Sequence, residues 1–159
     1  MKKYIFLVVL ALTIVGIMSN MTYEQQTIVP ELREILADEP FKEQLSHIEI
    51  TYWNRPISVE TRGYVYFIEF LIRKATHFAG YGIIGVLFFL LYRKLNWRFP
   101  TLFAILSIFF IASIDEIRQS FLPGRTGLFD DVMIDTVGAI VFVALAKIIL
   151  SITKRVSSF

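Results

Sequence analysis

Hydrophobic and polar residues fall into long blocks along this chain, and four blocks are apolar enough to cross a bilayer. They run from Tyr4 to Met18, from Thr76 to Tyr92, from Phe99 to Ile114 and from Val132 to Ile152. A transmembrane helix needs about 17 to 25 mainly apolar residues. The pattern therefore predicts an all-α fold, an integral membrane bundle of four transmembrane helices.

The residues that flank the first two blocks refine this prediction. Lys2 and Lys3 before a short apolar run also describe a signal peptide, but the residues from Gly16 to Asn20 offer no small-residue cleavage pattern. We therefore expect a retained anchor. The second block extends backward through an amphipathic stretch from Tyr64 to Ala75. Its helix is expected to begin in the membrane interface.

Lysine and arginine residues in the short connections predict the orientation, because positive residues are retained on the cytoplasmic side. They collect at both chain ends and between the second and third helices, at Lys2, Lys3, Arg93, Lys94, Arg98, Lys154 and Arg155. We expect a multi-pass protein of the cell membrane with both termini in the cytoplasm. The residues between the first two helices, and the loop from Phe121 to Phe129, would then lie outside.

The polar segment between the first two helices has local patterns of its own. Pro30 stands where a helix can start, and apolar residues follow at helical spacing up to Leu36, which predicts a short amphipathic helix. Alternation from Ile48 to Tyr52, followed by turn residues from Asn54 to Pro56, predicts a small hairpin. The chain is expected to divide into an N-terminal anchor, an extracytoplasmic segment and a three-helix membrane core, at residues 1–20, 21–63 and 64–159.

Composition narrows the classes of function. Hydrophobic residues make up 55% of the 159 residues, above the roughly 45–50% of soluble domains. The absence of cysteine excludes disulfides, cysteine-ligated zinc and iron–sulfur clusters within the chain. The net charge is +2, and the basic residues are dispersed. We therefore expect no nucleic-acid partner.

Polar groups concentrate at one end of the last three predicted helices. Spacings of three and four residues place many of them on shared helix faces. A charged side chain at a helix centre costs about 2.5–3.5 kcal/mol on insertion scales, so these groups must pair, reach the interface or line a wet cavity. The group comprises Arg73, Lys74, His77, Tyr81, Asp115, Glu116, Arg118, Gln119, Arg125, Asp130, Asp131 and Asp135.

The residue types in this group indicate different roles. His77, because imidazole titrates near neutrality, and Glu116 are the candidate catalytic residues. Arg118 and Asp130 are expected to be solvated or capping charges, and His47 a surface histidine. The candidate substrate-binding residues are Arg73, Lys74, Tyr81, Asp115, Gln119, Arg125, Asp131 and Asp135.

The charges of this group nearly balance, which favours a polar or zwitterionic ligand over a naked polyanion. We find neither a phosphate-cradling glycine-rich loop nor a histidine-rich metal motif, so no cofactor is evident and no metal ligands are predicted. The carboxylates permit a divalent cation such as Mg²⁺ without pointing to one.

Three motifs carry a resemblance to a known family. They are IRKATHFAGY at Ile72–Tyr81, DEIRQSFLPGR at Asp115–Arg125 and DVMIDTVG at Asp131–Gly138. In this order they resemble the VanZ-like family, named for a protein associated with resistance to the glycopeptide antibiotic teicoplanin. The resemblance covers about Glu69 to Ile140.

The resemblance implies that the family's recurrent polar residues fall on the candidate site. One departure is visible, because many members have glutamate just before the tyrosine, where this chain has Gly80. The positions that match are Arg73, Lys74, His77, Tyr81, Asp115, Glu116, Gln119, Arg125, Asp131 and Asp135.

The leading hypothesis is a cell-envelope protein that binds a lipid headgroup or a cell-wall precursor in an outer-leaflet pocket. Arg73, Lys74 and Arg125 would hold the anion, and the resemblance implies an effect on glycopeptide susceptibility.

Two alternatives stay open. The first is a membrane hydrolase or transferase that acts on a lipid-linked phosphate, with His77 or Glu116 as general base. The second is a non-catalytic accessory subunit with a structural ion-pair network, which would dock a protein partner through residues 21–63. The sequence leaves open whether any reaction is catalysed.

Overall fold

The computed structural model describes the backbone of residues 1–156 and the side chains of residues 1–153. Residues 157–159, at the end of the predicted membrane core, and the side chains of Lys154 and Arg155 lie outside the described part. The elements in chain order are α1 (Lys2–Ser19), α2 (Tyr23–Gln26), α3 (Val29–Ile35), α4 (Lys42–Ser46), β1 (Ile50–Tyr52), β2 (Arg55–Ile57), α5 (Val59–Arg62), α6 (Tyr64–Lys94), α7 (Pro100–Gln119) and α8 (Phe129–Val156).

Four of these helices, α1, α6, α7 and α8, are long and apolar enough to cross a membrane. About 75% of the chain is helical. The predicted all-α bundle of four transmembrane helices is confirmed, and the chain is a multi-pass membrane protein. Orientation and the three-part division of the chain stay predictions.

The helix ends explain why polar residues are part of the spans. Gly63 has φ 85° and lets the chain turn from α5 into α6, which begins at Tyr64. Pro100 opens α7, where a missing N–H leaves no hydrogen bond unmade. The helix α7 continues past the apolar block to Gln119. Its last turn therefore presents the acidic and amide side chains of the candidate site.

The helices α6 and α8 cross at small residues. A methyl group on Gly138 would lie 2.2 Å from the carbonyl oxygen of Phe78, and one on Gly85 would lie 2.9 Å from the Cβ of Ala139. Small residues allow such close backbone approach between membrane helices. Phe78 follows His77 directly, so this crossing brings α8 against the polar part of α6.

The bundle interior is packed with apolar side chains that have no exposed surface, among them Ile108 and Val143. Outward-facing residues are large and apolar instead, for example Phe110 at 59% exposure and Ile149 at 62%. An apolar outer surface of this kind is expected for helices that face lipid. Phe88 and Phe89 are buried.

Residues 21–63 cover one end of the bundle, which we call the capped end. The hairpin β1–β2 pairs Ile50 with Ile57, and Tyr52 with Arg55. Its two turn residues have positive φ, as a type I′ turn requires. Ile57 packs with α5 and the start of α6 in a second apolar cluster. The hairpin is thereby held over the capped end.

Candidate functional site

A cavity of about 330 Å³ opens at the capped end. Its walls come from α6, from the loop after α7, from the start of α8 and from the hairpin. The lining residues that carry charge, together with the histidine, are Arg55, Arg62, Glu69, Arg73, Lys74, His77, Arg125 and Asp131.

Five cationic side chains line this cavity. Arg73, Lys74 and Arg125 are half-buried, whereas Arg55 and Arg62 are exposed. The positive and negative charges of the predicted polar group are therefore not evenly distributed around the cavity. Bases predominate on the cavity wall, and most acids lie behind it.

The carboxylate of Glu69, one of two on the wall, is engaged by neutral donors. It accepts hydrogen bonds from the hydroxyl of Tyr23 at 2.8 Å, from the hydroxyl of Thr27 at 2.7 Å and from the amide of Ile28 at 3.0 Å. Burial and the bond to Glu69 raise the pKa of Tyr23, so the phenol stays a donor. These contacts tie the segment of residues 21–63 to α6.

The carboxylate of Asp131, the other on the wall, joins α8 to α6 and to the hairpin. It accepts from the ammonium group of Lys74 and from the hydroxyl of Tyr52. Burial, followed by the bond to Asp131, raises the pKa of Tyr52. The ammonium group also lies 4.5 Å from the centre of the Tyr52 ring, a cation–π distance.

Arg73 has unused hydrogen-bonding capacity. Its Nη2 donates to Oε1 of Gln26 at 3.3 Å, and its guanidinium lies 5.3 Å from the ring centre of Tyr23. Its Nη1 is buried without a hydrogen-bond partner among the described residues. A buried guanidinium N–H of this kind favours an acceptor from a bound molecule.

Arg125 reaches toward the same place from the loop. It donates to Oε1 of Gln119 at 2.5 Å, to Oε1 of Gln26 at 2.6 Å and to the carbonyl of Met21 at 3.3 Å. Burial lowers the pKa of Arg125, and repulsion from Arg73 lowers it further. Two guanidinium groups thus face one small region of the cavity.

The buried Asp115 collects donors from three helices behind the wall. It accepts from the hydroxyl of Ser19 at 2.5 Å, from Tyr81 at 3.1 Å, and from Arg118 and Gln119 at 2.7 Å each. A carboxylate with this many donors is fully satisfied. Asp115 therefore fastens α1, α6 and α7 together.

Arg118 and Asp130, expected to be solvated or capping charges, lie in the last turn of α7 and the first turn of α8, and each also contacts another segment of the chain. Arg118 pairs with Asp115 and donates to Oδ1 of Asn20 at 2.8 Å. Asp130 accepts a hydrogen bond from the backbone amide of Trp53 at 2.7 Å, which connects the hairpin to the start of α8. His47 is exposed, as expected.

A third group of side chains has few partners. One ligating atom from each of His77, Glu116 and Asp135 lies within 4.8 Å of the others. Nδ1 of His77 is 3.5 Å from Oδ1 of Asp135. The Asp135 residue is 1% exposed. Neither oxygen of Asp135 has a hydrogen-bond partner within residues 1–153, whereas Glu116 accepts from the amide of Leu128 at 3.0 Å.

The sequence as a whole matches the profile of the VanZ/LLP1 family over residues 4–150, which is most of the chain. The chain belongs to the VanZ/LLP1 family. The match also covers α1 and residues 21–63, which the motif resemblance over Glu69 to Ile140 left out. Comparisons with curated proteins and with solved structures give no match.

In this VanZ/LLP1 protein all ten predicted site residues lie at the capped end. Those on the cavity wall are Arg73, Lys74, His77, Gln119, Arg125 and Asp131. Those buried beside the wall are Tyr81, Asp115, Glu116 and Asp135. Gly80 is not in the cavity lining, and a methyl group there would meet nothing within 4 Å.

Several residues of this VanZ/LLP1 site were missed from the sequence. Glu69 lies four residues before Arg73 and eight before His77, so its spacing alone could have placed it on the same face. Tyr23, Gln26 and Tyr52 lack such a signal, because only the fold of residues 21–63 brings them over the bundle.

Proposed function

We propose that this protein binds the anionic, phosphate-bearing headgroup of an envelope lipid or lipid-linked cell-wall precursor at the outer leaflet. The observation that carries the proposal is the cationic cavity wall, where Arg73 has a buried N–H without a partner among the described residues. The two sources share one chemistry, and the test below separates them.

The unpartnered Nη1 of Arg73 gives the anion a defined place. A buried donor without a partner costs about 1–3 kcal/mol. A phosphate oxygen at this position would remove that penalty and add a charge-assisted hydrogen bond. Guanidinium groups suit phosphate because their N–H groups match two oxygens at once.

Arg125 supports the same position for the anion. Its guanidinium donates to the same oxygen of Gln26 as that of Arg73, so two like charges lie near each other; burial and this repulsion lower the pKa of Arg125. An anion between them would screen this repulsion and restore the charge balance. Gln26 contacts both guanidinium groups and orients them.

The size of the cavity limits what enters. About 330 Å³ is at the lower end of the roughly 300–1,000 Å³ typical of small-molecule sites. A phosphate with a short polar group fits this volume, while acyl or prenyl chains would stay in the bilayer. An effect on glycopeptide susceptibility would follow if the bound headgroup belongs to a cell-wall precursor.

Binding of defined lipids to purified protein tests the proposal. The probes are phosphatidic acid, a polyprenyl phosphate, inorganic phosphate and, as a control without phosphate, diacylglycerol, each measured by fluorescence titration in detergent. Arg73→Gln and Arg125→Gln should each weaken anion binding roughly 10- to 100-fold, since one charged hydrogen bond contributes about 1.5–3 kcal/mol.

Arg33→Gln is the matched control, because Arg33 is exposed and does not line the cavity. Preference for polyprenyl phosphate would identify the precursor class, and preference for phosphatidic acid the membrane lipid. Unchanged affinity in both cavity variants would refute the proposal. Teicoplanin susceptibility of cells that carry the same variants reports on the proposed resistance effect.

A hydrolase or transferase is the second candidate, favoured by the position of His77. This imidazole lines the cavity beside Arg73 and Lys74, so it would lie near a bound phosphate. Phosphate release from lipid-linked phosphates should then fall to background in His77→Gln but not in His47→Gln. No release by the wild type under any condition would eliminate this candidate.

The accessory-subunit alternative rests on the fully bonded Asp115 network, which needs no ligand. A protein partner would dock through residues 21–63. Stoichiometric co-purification of one membrane protein, lost on exchange of exposed residues in this segment, would favour it.

A further inference from the structure

We propose that His77, Glu116 and Asp135 bind a divalent transition-metal ion, with Zn²⁺ or Mn²⁺ as the best-suited ions. Each residue comes from a different helix of the bundle, α6, α7 and α8, and their ligating atoms lie within 4.8 Å of one another. The site is distinct from the guanidinium groups of the headgroup proposal and does not depend on it.

Asp135 is the first argument for a cation at this position. Its side chain is 1% exposed, and neither oxygen has a hydrogen-bond partner in the described part of the chain. Burial of a charged carboxylate without a partner is strongly unfavourable, and it is relieved by protonation, by pairing with a cation or by metal coordination. Nδ1 of His77 is also buried without a hydrogen-bond partner among the described residues, and it lies 3.5 Å from Oδ1 of Asp135.

The neighbouring lysine and arginine side chains do not supply a counter-charge to Asp135; His77, with Nδ1 3.5 Å from Oδ1 of Asp135, supplies one when it is protonated, in competition with a metal ion. Lys74 pairs with Asp131, and Arg118 pairs with Asp115. Among residues 1–153, no lysine or arginine nitrogen lies within 4 Å of the carboxylate of Asp135 or of Glu116. A bound cation would provide the counter-charge that these side chains lack.

The spacing of the three groups suits a metal centre. Ligands about 2.0–2.2 Å from Zn²⁺ lie roughly 3.4 Å from one another in a tetrahedral arrangement. Atoms that are already within 4.8 Å need only a small contraction to reach it. Three protein ligands leave at least one position open, the pattern of catalytic rather than structural zinc.

The donor set selects the class of ion. Imidazole suits zinc, copper, iron and nickel, whereas carboxylates suit magnesium, calcium and manganese. One imidazole with two carboxylates therefore favours Zn²⁺ or Mn²⁺. Magnesium is less well suited, because it prefers an all-oxygen environment with several waters.

The cluster lies between two cavities. His77 lines the main cavity, and Glu116 lines a second cavity of about 260 Å³ between α7 and the start of α8. The cluster thus separates two accessible spaces. A ligand that enters the main cavity would meet the metal beside the imidazole.

Metal binding to tag-free, chelator-treated protein tests the inference, with ZnCl₂, MnCl₂ and MgCl₂ as the calorimetric probes. Wild type should bind one Zn²⁺ or Mn²⁺ per chain, more tightly than Mg²⁺. His77→Gln, Glu116→Gln and Asp135→Asn should each weaken binding at least about tenfold. Each variant is first checked for helix content and for a single gel-filtration peak.

Two matched controls separate the site from general charge effects. His47→Gln removes the other histidine, and Asp130→Asn changes an aspartate five residues away on the same helix. Both should bind as wild type does. A wild type without one-to-one binding, or a His77→Gln variant equal to wild type, would overturn the inference.

A spectroscopic measurement covers the case in which a variant does not fold. X-ray absorption of the Zn²⁺-loaded wild type should show one imidazole nitrogen with oxygen ligands, and a spectrum without imidazole contradicts the site. Without an added anionic lipid or phosphate, Arg73→Gln should keep its metal affinity even though it lowers anion binding, so failures of the two proposals are distinguishable.

Discussion

Three aspartates at the capped end show how the same side chain takes different roles. Asp115 accepts four hydrogen bonds, Asp131 accepts from a lysine and a tyrosine, and Asp135 has no hydrogen-bond partner within the described side chains. The first two hold helices and the hairpin together. The third is the carboxylate on which the metal proposal rests.

Helical spacing predicted which residues meet at this end, since Arg73, His77 and Tyr81 recur every four residues. Spacing could not predict the partners, because they depend on the rotation of each helix and on residues 21–63.

Asp115→Asn tests the structural role of the four-donor carboxylate. The amide would turn an NH₂ group toward existing donors and remove the charge that pairs with Arg118. We expect a loss of about 1–3 kcal/mol of stability, because the buried donors of Ser19, Tyr81 and Gln119 would lose acceptors. Thermal unfolding in detergent, followed by tryptophan fluorescence, measures the change. Asp38→Asn, at an exposed position, should unfold like wild type. Equal thermal unfolding midpoints for Asp115→Asn and Asp38→Asn would show that Asp115 does not hold the helices together.

At the level of the helices, the crossing of α6 and α8 decides the geometry of the site. Hydropathy predicted that these helices exist and roughly where they lie. Hydropathy ends the third block at Ile114, whereas the spacing of the polar residues placed Asp115 and Gln119 on the face of the same helix, and α7 does continue to Gln119. Gly138 and the carbonyl of Phe78 are in such close approach that the two helices have little freedom to shift. Because Asp135 is one turn before Gly138 and His77 precedes Phe78, the crossing fixes the distance between these side chains.

Gly138→Ala is therefore expected to affect both stability and metal binding. Its new methyl group would clash with a backbone carbonyl, which has no rotamer by which to move away. Overpacking of this kind costs about 1–3 kcal/mol and would separate α8 from α6. Gly80→Ala is the matched control, because its methyl group meets nothing within 4 Å and should be neutral or stabilising by up to about 1 kcal/mol. Thermal unfolding and Zn²⁺ titration read out the two effects. A Gly138→Ala protein as stable as Gly80→Ala would contradict this account.

For the whole molecule, the positions of the basic residues predict which way the bundle crosses the membrane. Positive residues between α6 and α7 predict that this connection is cytoplasmic and that the capped end faces outward. The natural absence of cysteine makes a direct test simple. Glu60→Cys, on α5, should react with a membrane-impermeant maleimide in intact cells. Leu95→Cys, at the end of α6, should react only after the cells are permeabilised. The reverse labelling pattern would invert the orientation and place the cavity at the inner leaflet.

The separation of basic and acidic side chains at the capped end has a consequence for ligand affinity. Basic side chains line the cavity, and buried carboxylates lie behind it. An anion held by Arg73 and Arg125 and a cation held by His77 and Asp135 would be opposite charges in a medium that screens them poorly. Each would therefore raise the affinity for the other, and by reciprocity both would do so by the same factor. The two ligands would bind cooperatively, and removal of one would lower the affinity for the other.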